Sequence, residues 1–285
     1  MRVVIGVDWS DQAFAAVTQT CQLYRPTDVA LVHGVDLGIF QHPVVAQAGN
    51  VQGYNDFRNA MVDAGHKALD HAATMVPPEI QSIRKVNEVG SPAQLILDSA
   101  DNLSADLIVV GVRGRNRLSE VVLGSVSHRV LLHSSRPTLI VRGTARKIQR
   151  VLIAIECRED ADRIVKWLIQ HPFADPADLC ILHVVVPIGV DDPYDALGTS
   201  TWWEGAQRYA EELVTSTASK LLNSRYTVST KVATGHAASV IEQEAKPMDL
   251  VIVTSHGRKG ISRFLIGSVS HAVVHHVTCP VLVLR

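Results

Sequence analysis

Two glycine pairs and a scattering of carboxylates, imidazoles and indoles hold whatever chemistry this sequence offers. Gly111-Val112-Arg113-Gly114 is followed, nine residues later, by Gly124-Ser125. A chain leaving a strand through glycines lets its backbone approach a phosphate, and a helix opening near Ser125 presents unbonded N–H groups and a positive dipole end. Arg113, Arg115 and Arg117 add charge beside it. The same strand–glycine–helix pattern serves any tight crossover, so spacing alone leaves both readings open. The Lys-bearing Gly-x-x-x-x-Gly-Lys-Ser/Thr pattern is absent, which argues against an ordinary P-loop hydrolase.

Other constellations are weaker. His271 and His275 stand four residues apart with His276 beside them, a spacing that puts two imidazoles on one helix face, but no third ligand is defined and no metal is expected. His128 and His133 read as structural, and His33 and His183 as hydrogen-bonded residues at the ends of second strands. Trp202 and Trp203 could stack on a ligand, although a core or subunit-interface role is the better reading. Cys21, Cys157, Cys180 and Cys279 show neither a Cys-x-x-Cys pair nor zinc-finger spacing and read as reduced thiols. No paired carboxylates, serine elbow or Cys–His signature supports catalysis, so the chain is read as a non-enzyme or at most a slow hydrolase.

These residues must be held by elements that the chain spells twice. Asp106 to Arg142 lies on Asp249 to Arg285 without a gap, with 16 of 37 positions identical, and Gly124-Ser125-Val126-Ser127-His128 recurs as Gly267-Ser268-Val269-Ser270-His271. A period of 143 residues is a domain duplication rather than a solenoid repeat. Arg2 to Asp8 likewise matches Arg150 to Glu156. Runs of Val, Ile and Leu predict strands near 2–7, 29–35, 82–88, 106–110 and 138–142, then near 150–155, 179–186, 226–232, 249–253 and 281–285. Helical patterns alternate with them, opened by Ser10-Asp11, Ser91-Pro92 and Glu159-Asp160. The expected architecture is α/β: two doubly wound domains, each with a five-stranded parallel sheet, spanning 1–143 and 149–285 with a linker at 143–149. Segments 36–55 and 187–200 follow the second strand of each half and are either lids over a crevice or surface padding.

Composition agrees. The chain has 285 residues, 47% of them hydrophobic and 5% aromatic, with a formal charge of -1. That balance removes the basic footprint of a phosphate-reading nucleic-acid binder. There is no apolar run of membrane-spanning length, and Asp8 interrupts what would be a signal-peptide core, so a cytoplasmic location is expected.

With the duplication and the glycine spacing together, the sequence resembles the universal stress proteins over essentially its whole length, twice. The nucleotide-binding branch of that family carries Gly, two residues, Gly, nine residues and Gly-Ser/Thr after the fourth strand, and Gly111, Gly114, Gly124 and Ser125 match it. Asp8 and the His33-bearing second strand are also similar. The resemblance implies an adenine nucleotide alpha-hydrolase-like fold whose halves are related by a pseudo-two-fold axis. It further implies ATP or AMP, with or without Mg, in the first half, held by Asp8, Gly111, Gly114, Gly124, Ser125, Val126 and Ser127. Gly6 and Gly34 would stand where backbone passes the base. The second half departs from the pattern at Thr254 and Glu156, which implies a degenerate site there. The family also pairs units through last strands, here Thr138 to Val141 and Val281 to Leu284, which implies intrachain pairing and leaves a homodimer open. The implied function is a stress-response regulator. The alternatives are a small-molecule or metal sensor of the same fold that no longer uses nucleotide, and an adenylating or flavoprotein relative.

Overall fold

The computed structural model describes residues 1–38, 51–112, 123–187, 199–222, 225–255 and 266–285, with backbone only for 51, 52, 199 and 200. Arg113, Gly114, Arg115, Arg117 and the central parts of both suspected lids lie outside these residues. The chain divides into two units, Met1–Ala145 and Arg146–Arg285.

In the first unit the apolar runs become β1 (Arg2–Gly6), β2 (Asp28–Val35), β3 (Ser82–Val89), β4 (Leu107–Gly111) and β5 (Thr138–Val141). All pair in parallel, in the order β3-β2-β1-β4-β5. The helices are α1 (Asp11–Tyr24), α2 (Val51–Ala73), α3 (Pro92–Asn102) and α4 (Ser125–His133). The second unit repeats this with β6 (Arg150–Ala154), β7 (Asp178–Val185), β8 (Thr227–Thr234), β9 (Leu250–Thr254) and β10 (Val281–Leu284), ordered β8-β7-β6-β9-β10. Its helices are α5 (Arg158–Gln170), α6 (Thr199–Ser219), α7 (Ala237–Ala245) and α8 (Ser268–His276). Among the described residues no helix is long and apolar enough to cross a membrane.

Crossover handedness assigns the faces. The chain moves one way from β1 through β3 and the other way from β3 to β5, so right-handed connections put α1 and α2 on one face and α3 and α4 on the other. The contacts agree. His71 of α2 stacks on Trp9 with ring centres 6.1 Å apart and meets Phe14 of α1 edge-on at 4.7 Å, while α3 packs on α4. Strands covered on both faces carry continuous apolar runs rather than alternation. Ile5, Leu31, Leu107, Ile108, Leu139 and Ile140 are accordingly fully buried. Ser10 caps α1, accepting from the Ala13 N–H at 3.2 Å. Ser91 occupies the cap of α3, but its hydroxyl makes no capping bond and instead accepts from Arg129 at 3.4 Å.

One acid in each unit fixes the register of the two strands that matter most. Asp106 accepts from the Arg2 N–H at 2.7 Å, and its own N–H donates to the Arg2 carbonyl at 2.9 Å. Asp249 repeats this with Arg150, at 2.9 and 2.8 Å, and adds the Gln149 N–H at 3.1 Å. Burial pushes the Asp249 carboxyl up, but the Arg150 and Gln149 N–H groups and the Arg150 guanidinium outweigh it and hold it below the ordinary 3.8. Both clamps sit at strand starts, so they determine which residues meet at the opposite, carboxyl edge.

Two stability changes follow. Asp249→Asn should lower unfolding free energy near neutrality by about 1–3 kcal/mol, because charge-assisted bonds to a mostly buried acceptor are lost. The folded carboxyl titrates below its unfolded value, so the contribution is complete above about pH 3.8 and disappears as pH falls through the lower folded value. Urea midpoints of both proteins should therefore converge in acid. Gly34→Ala would put a methyl carbon 2.6 Å from Pro92 Cα and 3.0 Å from Pro92 N, forcing α3 to move. A loss of about 1–3 kcal/mol is expected in the same assay.

Candidate functional site

In the first unit β1 and β4 are neighbours, with Ile5 level with Val109, so the segments leaving them, Val7-Asp8 and Gly111-Val112, emerge side by side. The chain turns toward β2 after one strand and toward β5 after the other. This is the topological switch point of an open parallel sheet, where a crevice opens. Because β5 runs parallel to β4, α4 must begin at this same edge. Its cap is Gly124, and its first completed bond is His128 N–H to the Gly124 carbonyl, at 2.8 Å. The N–H groups of Ser125, Val126 and Ser127 precede that bond and have no intrahelical acceptor. The Ser127 hydroxyl folds back on the Gly124 carbonyl at 3.1 Å.

Asp8 is exposed at the rim. Its Oδ1 accepts from the Ser10 N–H at 2.9 Å and from the Ser10 hydroxyl, which fixes the carboxylate over the start of α1. His33 bonds through Nδ1 to the Val7 carbonyl at 2.8 Å, and His183 does the same to Ile155 at 3.0 Å, as strand-end residues should. Gln12, in the first turn of α1, has a buried Oε1 with no hydrogen-bond partner among the described residues.

The glycines have a second explanation. A Cβ on Gly111 would stand 2.6 Å from the Gln12 carbonyl oxygen, 2.7 Å from its carbon and 3.0 Å from Ala13 N. The first turn of α1 thus rests directly on the end of β4, and only glycine fits between them. Gly34 lies under the Pro92 backbone, and a Cβ on Gly6 would meet Ile96 Cδ1 at 2.6 Å. Packing therefore accounts for Gly6 and Gly34 without a base nearby. Of the residues expected in the site, Asp8, Gly111, Gly124, Ser125, Val126 and Ser127 gather at one edge. Gly34 is covered by α3, and Gly114 lies outside the described residues.

The corresponding edge of the second unit is built differently. Thr254 stands where Gly111 does, and its hydroxyl donates at 2.6 Å to Asp160, which stands where Gln12 does. Asp160 also accepts from the Glu156 N–H at 3.3 Å, and its side chain is only 3% exposed. The Gly267 N–H is spent on the Ser255 carbonyl at 2.7 Å, and the Ser270 hydroxyl donates to the Thr254 carbonyl at 2.5 Å. The cap of α8 is thus tied to the strand end, while the Ser268, Val269 and Ser270 N–H groups precede the first helical bond, His271 N–H to the Gly267 carbonyl, as their counterparts do in α4. Among the described residues no such backbone bond joins Gly124 to Val112.

Above this edge lies a cavity of about 590 Å³, walled by the ends of β6, β7 and β9, by α6 and by the starts of α7 and α8. Val184 and Ala237 line it. They stand where the first unit has Gly34 and Pro92 in contact, and a valine cannot exist beneath a helix backbone that close. The space exists because α7 lies farther from its strand. Trp202 lines the cavity too and is 45% exposed, so it is not a core residue. Sequence reasoning also missed Asp160 and Tyr209 as lining residues. The paired change from Gly111 with Gln12 to Thr254 with Asp160 was the signal that could have found the first.

Thiol chemistry is not on offer at either edge. Burial pushes Cys21 and Cys157 each up to about 11, and none of the four cysteines forms a disulfide.

Comparison with known proteins puts this geometry in context. The sequence profile of the Universal stress protein family matches the chain twice, over residues 1–142 and 147–285. A universal stress protein of Mycolicibacterium smegmatis is 31% identical over 297 residues, covering 99% of this chain and 96% of the relative. One from Mycobacterium tuberculosis strain H37Rv is 25% identical over 303 residues, covering 100% and 96%. The crystal structure of a universal stress protein from Archaeoglobus fulgidus superposes with a TM-score of 0.66 at 18% identity, covering 100% of this chain and 96% of that one. With the doubled α/β unit, its switch-point crevices and a family match along nearly the whole length, the chain belongs to the universal stress protein family.

Proposed function

We propose that the chain binds one adenine nucleotide, ATP or AMP, in its first unit and acts as a ligand-dependent regulator in the response to stress. The observation that carries this reading is the open start of α4. Three N–H groups without intrahelical acceptors face the switch-point crevice beside Asp8, an arrangement suited to phosphate at one end and a hydroxylated sugar at the other.

Backbone N–H groups and small hydroxyls hold a phosphate about equally before and after cleavage. Uniform binding of that kind does not accelerate hydrolysis, so holding rather than turnover is the activity assigned.

The second unit opposes the same ligand. Its cap N–H, on Gly267, is spent on the Ser255 carbonyl, Asp160 brings a nearly buried carboxylate to the cavity wall, and Glu156 stands in the place of Asp8 with a longer side chain. A like charge beside a bound phosphate costs on the order of 1–3 kcal/mol, and the side chain of Thr254 adds a comparable steric cost.

Three results are expected. Calorimetric titration with ATP should give a stoichiometry near one per chain, and two equal sites would refute the assignment. Gly114→Val should abolish binding while the unfolding midpoint stays put, and Asp8→Ala should weaken ATP more than inorganic triphosphate; equal losses would remove Asp8 from the sugar side. Replacing Thr254 by Gly, Glu156 by Asp and Asp160 by Gln together should raise the stoichiometry toward two. Without the Asp160 change the first two replacements should fall short.

A further inference from the structure

We infer that the cavity of the second unit is a slot for a flat, apolar fused-ring molecule held on one face of α6, and not a vestige of the nucleotide site. Its volume of about 590 Å³ lies within the range of small-molecule pockets. Trp202, Gly205, Ala206 and Tyr209 all line it. They stand at i, i+3, i+4 and i+7, one face of a helix, so two aromatic rings flank two positions that carry almost no side chain.

The helical rise sets the two aromatic positions about 10 Å apart along the axis, a spacing that suits one ring system stacked between two others. The gap is open, since a Cβ built on Gly205 meets nothing within 4 Å. Tyr209 is braced from behind, because His183 meets its ring edge-on at 6.1 Å and is itself fixed by its bond to the Ile155 carbonyl. Val184 and Ile241 make the facing wall aliphatic.

The polar end of the cavity asks nothing of a ligand. Asp160 already accepts from the Thr254 hydroxyl and the Glu156 N–H and pairs with Arg163, and the Ser270 hydroxyl is bonded to the Thr254 carbonyl. A purine drawn into the slot would lose water from its ring nitrogens against a wall of few hydrogen-bonding groups, whereas an apolar ring has no such bonds to lose and gains the burial. Trp202 and Val186, 45% and 53% exposed at the cavity, are apolar surface left in water that such a ring would cover.

The test titrates the full chain, by ligand-observed NMR, with three bicyclic probes: 2-naphthol, decahydro-2-naphthol and adenine. 2-Naphthol should bind roughly tenfold or more tightly than adenine. It should also bind severalfold more tightly than its saturated counterpart, which keeps the carbon skeleton but has no flat face to stack. Gly205→Leu should fill the slot and abolish binding with the unfolding midpoint unchanged or raised, because leucine is the better helix former. Trp202→Ala, a change at an exposed side chain, should weaken binding severalfold at an unchanged midpoint. Saturating ATP should leave the bound naphthol in place. Failure of 2-naphthol to bind, equal affinity for either counterpart, binding indifferent to Gly205→Leu or to Trp202→Ala, or displacement by ATP would each overturn the assignment.

Discussion

Everything distinctive about the two units traces to one contact, where the end of the fourth strand meets the first turn of the helix that follows the first strand. In the first unit this contact is backbone on backbone, with the Gln12 carbonyl 2.6 Å from where a Gly111 side chain would begin. In the second it is side chain on side chain, a threonine hydroxyl donating to a buried aspartate at 2.6 Å. Close approach requires glycine and permits a neutral glutamine. A wider approach admits threonine but leaves its hydroxyl needing an acceptor, which Asp160 supplies at the cost of placing a carboxylate in the crevice wall.

The remaining differences are consistent with that choice. The starts of α4 and α8 alike leave three N–H groups without intrahelical acceptors. In the second unit the Gly267 N–H is in addition tied to Ser255 beyond β9, a carboxylate lines the wall, and Val184 stands where Gly34 lies under the Pro92 backbone in the first. The two halves of the duplication thus differ at the same edge, with a glycine–backbone contact in the first and an acidic, largely apolar cavity in the second. The strand-start clamps, Asp106 with Arg2 and Asp249 with Arg150, are retained in both units, so the frame is common while the sites have diverged.

The fold was legible because its signals are local and repeated. Unbroken runs of Val, Ile and Leu mark strands covered on both faces, and all ten expected strands occur within one or two residues of their expected bounds. The first-unit site was legible in part, since glycine spacing locates the strand–loop–helix turn. Yet glycine spacing cannot tell a ligand's demand from a helix's. Gly34 and Gly6 answer to Pro92 and Ile96, contacts between residues some 58 and 90 positions apart that no local pattern encodes. Asp160 was visible as a helix-start acid but not as a cavity wall, because its role depends on Thr254, 94 residues later. Trp202 was weighed as core because a large aromatic pays best when buried. Its exposure reflects the cavity, which exists only once α7 stands away from its strand.

The central claim is that nucleotide chooses between two similar crevices by what lies at the strand–helix contact. Amide hydrogen exchange with and without saturating ATP measures this most directly, since it reads both units in one sample. Protection confined to peptides covering 6–14 and 123–131 is the result this account requires. Comparable protection over 154–162 and 266–274 would contradict it, because the crevice walled by Asp160 and Thr254 would then accept the same ligand.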